Sequence, residues 1–445
     1  MFNMNQINSL IADMKKAQPD LKCDISGSSV SQMTVKVKES GSLDQSASQR
    51  TAVTLRVWNA DGRLGVVQLT SLSLPDLIAA VKTALEAAPL GIADNIPQIP
   101  SPESNTPHTA ATESPQPQSQ VSIETLGKEL QVAVTDLKNL DAAIQGVPYN
   151  AVSQSKVDHF YASTTGLTKV QSESSLSAYL YARGQADGFK PRAAGHWGEE
   201  TNLQDLNLAK IAKEAGEMLL AHLRPIKIPS GKYPVVFSGR AFLDLLNAFS
   251  NLFSAQNIID KQSLNTRESL GQVLASSLVT IKDDPLHPWN IAPIRFDGEG
   301  TDVRPTLLVE KGVLTGLWHH SVSAQAFATQ STGHARVAAK MSVGPWFYNV
   351  DPGTGLGDCA ADCVWVEELQ ALHAGVNALQ GSFSLPFQGF RVRNGQKESL
   401  EGVTVAGDIL SLLKSIVALS ETQERASGGA CPAVAVSELS ITCES

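Results

Sequence analysis

The chain has 445 residues, more than one hydrophobic core usually holds, so two domains are expected. Hydrophobic residues at 42 % and charged residues at 18 % are ordinary for a globular protein, and no apolar run approaches the ~20 residues of a bilayer-spanning helix. With 44 acidic against 35 basic residues the net charge is −9, and no dense Lys/Arg stripe is present, which argues against direct nucleic-acid binding.

The N-terminus lacks the continuous apolar core of a signal peptide. Ile7, Leu10, Ile11 and Met14 instead follow the i, i+3, i+4, i+7 spacing of an amphipathic helix, and the cytoplasm is the expected compartment. Met33, Val35 and Val37 alternate with polar residues, as do Val53, Leu55 and Val57, and Asn59–Gly62 supplies a turn into Leu64–Leu69; these read as strands. A helix is expected over about Pro75–Ala88 with Ser73 as its cap. Residues 97–120 carry six prolines among Ser, Thr, Gln and Asn with almost nothing apolar, the composition of a disordered insertion that cannot offset its ordering entropy.

Leu126, Leu130, Val134 and Leu137 predict a helix over about 123–144. Strands then flank Ser163-Thr164-Thr165-Gly166, and a long helix is expected over about 206–223. Two prolines and a glycine between Pro225 and Lys232 mark the best boundary. The expected fold is α+β in two domains: a sheet-plus-helices domain over residues 1–226 and a β-rich domain over 227–445. The second opens with a strand at Tyr233–Phe237 and a helix over about 240–253. It closes with a helix over about 408–419, with Ile409, Leu412, Leu413 and Ile416 as its core face.

The segment Phe296–Leu314 carries the most information. Asp297, Glu299 and Asp302 crowd around Gly298 and Gly300, a lead-in whose backbone calls for positive φ. Apolar runs on either side of Glu310-Lys311-Gly312 then read as a β-hairpin. On spacing alone this is an ordinary hairpin with a solvated acidic lead-in. Its company raises it above that: Ile281-Lys282-Asp283-Asp284-Pro285 upstream, then Ser331-Thr332-Gly333-His334-Ala335-Arg336, Leu372-His373-Ala374-Gly375-Val376-Asn377 and Gly402–Leu410 downstream. In this order the set resembles the TldD/PmbA family, whose members carry the old name modulator of DNA gyrase. The resemblance is weak before Pro225 and good from Tyr233 onward. Where relatives carry Asn in the STGNA-like turn, this chain has His334.

Catalytic members of that family carry HExxxH on the helix after the strand that opens the second half. Aligning the Leu245-Leu246 pair places Asn247 at the first His, Ala248 at the Glu and Leu252 at the second His; no His-Glu dipeptide occurs in the chain. Asn binds zinc poorly, Ala accepts no proton and Leu has no lone pair. The resemblance therefore implies the PmbA/TldE branch: no catalytic or metal residue in this chain and no cofactor bound by it. A TldD-like partner would supply zinc and the hydrolytic step on unfolded or peptide substrates, in a homo- or heterodimer. Asp297, Glu299, Gly300, Ser331, Thr332, Gly333 and His334 are expected to form a structural or substrate-channel motif. The alternative is a non-enzymatic homodimeric peptide-binding protein.

His319 and His320 are adjacent after a strand and read as structural, and His373 as a turn-packing residue. Five cysteines, an odd and scattered count, fit reduced thiols better than a disulfide framework. Cys359 and Cys363 form a CxxxC in a loop, and Cys431 lies near the place where catalytic relatives put a metal-binding Cys.

Overall fold

In the N-terminal part, the alternation of apolar and polar residues sets the sheet and the side on which helices pack. The computed structural model describes residues 4–17, 20–91, 99–100 and 121–444. The insertion expected at 97–120 thus lies, apart from residues 99 and 100, outside the described residues. Six strands, β1 (Lys22–Val37), β2 (Leu43–Trp58), β3 (Leu64–Leu69), β4 (Ile144–Ser163), β5 (Thr168–Gly184) and β6 (Arg192–Glu200), form an antiparallel sheet in the order β3-β2-β1-β4-β5-β6.

Successive side chains on a strand point to opposite faces. On one face Cys23, Ile25, Val53, Leu55, Val57 and Phe160 pack against helices α1 (Met4–Ala17) and α2 (Leu74–Ala87), the latter capped by Ser73. Farther along the same face Val35, Val37 and Val152 meet α3 (Ile123–Asn139) and, after a short α4 (Leu203–Leu206), α5 (Leu208–His222). The opposite face is polar: Asp24, Ser26, Thr54 and Arg56 are all buried there.

Two helices are shorter than their periodicity predicts. α3 ends at Asn139 because Ile144 already belongs to β4. The helix expected over 206–223 is split at Asn207, which adopts φ 42° and turns its side chain to accept from the Lys210 N–H. Asn tolerates the left-handed region and caps the new helix.

The C-terminal part is β-rich, built on a twelve-stranded mixed sheet. Strand β7 (Gly231–Phe237) pairs parallel with Asp362–Leu369 and antiparallel with Gly429–Cys443, which closes these three strands with Ser382–Arg393 and Val403–Asp408 into a small barrel. Helix α6 (Gly239–Ala248) follows β7, capped by Ser238, and buries Ala241, Phe242, Leu245 and Leu246. The single helix expected over 240–253 ends at Ala248, and a 3₁₀ turn Ser250–Phe253 continues it. The last helix is likewise short, Ile409–Lys414, capped by Asp408, because Ile416 starts a strand that runs to Ala426 and pairs with Gly429–Cys443.

Candidate functional site

The acidic loop sits where the polar face of the N-terminal sheet meets the C-terminal part. The Asp297 carboxylate, 2 % exposed, accepts from three backbone N–H groups: Glu299 and Thr301 on Oδ1 and Ala335 on Oδ2, all at 2.9 Å. It therefore closes its own loop and ties it to the Ser331–Arg336 turn. Burial and the nearby Glu299 charge push its carboxyl up, to about 8, against the pull of the three donors. Gly300 holds φ 75°, and a Cβ there would stand 2.5 Å from the Tyr161 ring. Only glycine meets both conditions.

Glu299, two residues on, faces the other way. Its Oε2 accepts from the Ser321 N–H at 2.8 Å, and its Oε1 accepts from Ser321 Oγ at 2.6 Å and from Arg56 Nη1 at 3.3 Å. Arg56 also donates to both oxygens of Asp24, at 2.8 and 2.5 Å, and the Tyr161 hydroxyl donates to Asp24 at 3.3 Å. Burial opposes the charge on Glu299, but Arg56, His320 and the two Ser321 donors outweigh it and hold the carboxyl below its usual range. For Arg56, burial is outweighed by Asp24 and Glu299, which push its pKa up. Lys169, on β5, pairs with Asp302. The solvated acidic lead-in expected from spacing is thus a buried ionic junction, because the sheet brings a guanidinium to it from 243 residues away.

The Ser331–Arg336 turn packs on the chain around His319. Ser331 Oγ donates to the His319 carbonyl, while Thr332 Oγ1 accepts from the His319 N–H at 2.8 Å. The Gly333 carbonyl accepts from Trp346 Nε1 at 2.8 Å. His334 is fully buried: Nδ1 lies 3.0 Å from the Thr332 carbonyl, and Nε2 lies 3.3 Å from Asp283 Oδ2. Asp283 accepts from the N–H groups of Trp346 and Phe347, each at 3.0 Å. His319 and His320 are buried and structural. His320 caps the short helix Ser321–Ala326 and bonds Gln256 at 2.9 Å. Burial, with His320 adding to it, lowers the pKa of His319 to about 4.

Beside the junction lies a cavity of about 560 Å³ between the two parts. Ser26, Ser28, Thr54 and Gln68 of the sheet's polar face form its floor; Phe296, Gly298, Arg336 and Trp346 form its opposite wall. Its lining of hydroxyls, an amide and aromatic rings sets hydrogen-bond partners beside an apolar wall.

Along α6 the picture differs. Asn247 is exposed at the helix end, Ala248 is half-buried, and Leu252 is fully buried in the main core of the C-terminal part. Cys431 is buried against the opposite end of α6, where a Cβ on Gly239 would meet its carbonyl at 2.2 Å. Burial and Glu424 push its thiol well above the ordinary range. Glu424 accepts from the Gly239 N–H at 3.1 Å. Cys363 lies on the strand Asp362–Leu369 rather than in a loop, and burial pushes its thiol up to about 11. All five cysteines are free. His373 stands exposed on the helical turn Leu372–Gly375, which leaves it no turn to pack.

Two family descriptions match the chain: the PmbA/TldA metallopeptidase C-terminal domain over residues 230–443 and the PmbA/TldA metallopeptidase central domain over residues 120–223. Together they cover more than two thirds of it. The chain belongs to the PmbA/TldD family. Metalloprotease PmbA of Escherichia coli O157:H7 is 27 % identical over 240 residues, 52 % of this chain and 50 % of that protein. The Metalloprotease PmbA homolog of Haemophilus influenzae is 25 % identical over 219 residues, 49 % of this chain and 47 % of that protein. The chain therefore spans about half the length of the curated relatives it matches. The fold is shared with a Thermotoga maritima structure described as a modulator of a DNA gyrase (TM-score 0.85, 23 % identity, 99 % of this chain and 100 % of that one). It is shared too with TldE from Thermococcus kodakarensis (TM-score 0.81, 20 % identity, 98 % and 100 %).

Membership raises the question of zinc, and the donor set answers it poorly. Of the three aligned positions on this PmbA/TldD chain, one is an exposed amide, one a methyl and one a core leucine. Asn247 is also eight residues along the helix from Gly239, where Cys431 packs, a separation of about 12 Å at 1.5 Å per residue. A zinc ion needs three or four converging N, S or O ligands, and these residues do not fit one.

Sequence reasoning missed Arg56, Asp24 and Tyr161. One signal was available: Thr54 and Arg56 interrupt Val53, Leu55 and Val57, so a charged residue had to sit on the face away from the apolar one. Its partner across the molecule leaves no local trace.

Proposed function

We propose that this chain is a PmbA/TldE-like subunit that does not cleave peptides itself and assists a TldD-like zinc peptidase acting on unfolded or peptide substrates inside the cell. The observation that supports the division of labour is the α6 segment, where Asn247 faces solvent and Leu252 lies in the core, so neither could hold a metal beside the other. On this reading the metal, the general base and the hydrolytic step belong to the partner.

The contribution of this chain is then access and positioning. The cavity of about 560 Å³ is walled by Phe296, Asp297, Gly298, Arg336 and Trp346 and floored by hydroxyl and amide side chains, which suits an extended peptide held by hydrogen bonds rather than by one deep side-chain pocket. Asp297 belongs to its wall and Glu299 lies behind it; each is already occupied by donors within the protein, which leaves them as scaffold rather than as acid and base.

The test is metal analysis and peptide hydrolysis with the chain alone, a TldD-like protein alone and the two mixed. Zinc and turnover are expected with the mixture and not with this chain by itself. Peptide cleavage by this chain alone, retained in excess chelator, would overturn the reading.

A further inference from the structure

The floor of the cavity between the two parts carries polar groups that the protein itself does not use. Ser26 of β1 stands directly across from Thr54 of β2, and Thr54 across from Gln68 of β3. The three side chains therefore form one row over three strands, about 10 Å across at the spacing of sheet strands, and all three line the cavity. Ser26 is 8 % exposed and Thr54 5 %, yet among the described residues neither hydroxyl makes a hydrogen bond. Buried polar groups are nearly always partnered, because leaving one unmade is destabilising. Neither oxygen is sealed inside the protein; both stay open to the cavity.

The opposite wall carries a cation in a similar state. Arg336 lies over the Trp346 ring, with Cζ 4.4 Å from the ring centroid, and its Nη2 donates to the Pro345 carbonyl at 2.5 Å. Among the described residues no carboxylate pairs with it. Burial lowers its pKa, and Asp283, the opposing charge, is already taken up by the Trp346 and Phe347 N–H groups and by His334. Asp297, the only carboxyl among the described lining residues, has both oxygens occupied by backbone N–H groups. His159, the other basic side chain on the lining, is paired with Glu173 at 3.2 Å. A guanidinium presents five N–H donors in a planar fork, and one carbonyl leaves most of them unused. That fork matches one carboxylate in bidentate geometry, whereas phosphorylated segments are gathered by clusters of arginines.

We propose that this cavity recognises a carboxylate carried on a peptide, the acid seated on the Arg336 fork and the neighbouring main-chain amides on the Gln68–Thr54–Ser26 row. The acid is a free C-terminus or an Asp or Glu side chain, since both present the same planar pair of oxygens. This assignment rests on the reading of the cavity as a peptide site and adds to it the chemical class of peptide that is preferred. The net charge of −9 opposes an anionic ligand, so a preference for the acid has to come from a local group rather than from the overall field.

Isothermal titration calorimetry on the full chain tests it with one short N-acetylated Ala/Ser peptide in three forms. The first ends in an amide and has no acidic residue, the second ends in a free acid, and the third ends in an amide with one internal Glu. One or both acidic forms should bind roughly tenfold or more tightly than the neutral amide. Which of them does so tells the C-terminus from the side chain. Arg336→Met keeps apolar cover on Trp346 and should erase the preference, while Arg336→Lys, a point charge without the fork, should retain only part of it. Thr54→Val keeps the shape of the side chain without its hydroxyl and should weaken all three forms together. Should R336M fold poorly, as judged by thermal unfolding, the three peptides on the unaltered chain still decide the matter. Equal affinity for all three forms overturns the assignment while the peptide-site reading stands. Binding of none overturns both, and a preference that survives R336M overturns the assignment by placing the carboxylate elsewhere.

Discussion

At the junction Asp24, Arg56, Asp297 and Glu299 are each no more than 4 % exposed, and each has two or more partners within the chain. Along α6 the buried side chains are Ala241, Phe242, Leu243, Leu245 and Leu246, joined by Leu252 just beyond, with no charged side chain among them. The contrast shows how the fold spends its polarity. Burying charge costs several kcal/mol unless it is paired, so a buried charged cluster persists only where its partners are complete. The junction is complete and acts as a weld between the two parts. Helix α6 is by contrast an ordinary packed element.

Arg56 is the place where the weld should break most severely. Arg56→Met leaves Asp24 and Glu299 buried without their cation, and a loss of about 3–5 kcal/mol is expected. Adding D24N and E299Q to that change should recover part of it, since neutral amides no longer demand a counter-charge. Urea denaturation of the three proteins checks both statements. A loss below about 1 kcal/mol for the single variant would mean that the junction does not hold the parts together.

The α6 side is sharpened by writing the family motif back in. The triple variant N247H/A248E/L252H restores the letters of HExxxH but not the geometry. Leu252→His puts an imidazole into a packed core, so about 2–5 kcal/mol should be lost. Metal analysis should find no stoichiometric zinc, because position 247 points to solvent. Stoichiometric zinc in the folded variant would show that the two positions do come together, and would weaken the proposed division of labour.

How much of this was legible beforehand differs between the same two regions. The alternation at Val53, Leu55 and Val57, the Ser73 cap and the hairpin turn at Lys311-Gly312, where φ is 46° and 83°, were all readable because each is decided by near neighbours. The lead-in's demand for positive φ was readable for the same reason, and Gly300 meets it. That Asp297 ties its loop to the Ser331–Arg336 turn was foreshadowed only by the two motifs recurring together. Arg56 on Glu299 was not readable, since no spacing rule links residues 243 apart. Helix ends failed where a strand or a left-handed residue took over, at Ile144, Asn207 and Ile416. At those positions tertiary pairing outweighs the helical spacing of the residues before them.

Two buried histidines, His222 and His319, add a pH axis. His222 stacks on Phe390 at 4.6 Å, and burial, with Arg192 adding to it, lowers its pKa from 6.5 to about 4. The folded protein thus holds it neutral while the unfolded chain protonates near 6.5. Stability is full above that value and declines as pH falls toward 4, by about 3 kcal/mol when the whole interval is crossed. His319 acts in the same direction over the same window. His222→Phe keeps the ring stack and removes one titration, so its stability should depend less on pH between 6.5 and 4. Urea midpoints at pH 7 and pH 5 decide this. An unchanged difference between the two midpoints would show that His222 is not the group responsible.

The smallest expected effect isolates one donor at the weld. Ser321 Oγ reaches Glu299 at 2.6 Å, and Ser321→Ala removes that hydrogen bond while the Ser321 N–H position and Arg56 still serve the carboxylate. A hydrogen bond to an ionised group is worth about 1.5–3 kcal/mol, and with the other donors retained a loss of about 1–2 kcal/mol is expected. The size of the loss should follow the charge on Glu299. Its folded pKa lies below the unfolded value near 4.5, so the stability it contributes is present above 4.5 and disappears as pH falls through the folded pKa. The gap between S321A and the parent should accordingly be full at neutral pH and narrow in acid. A gap of equal size at pH 7 and below pH 4 would mean that Ser321 supports the loop by packing alone, and that the carboxylate of Glu299 is not what it serves.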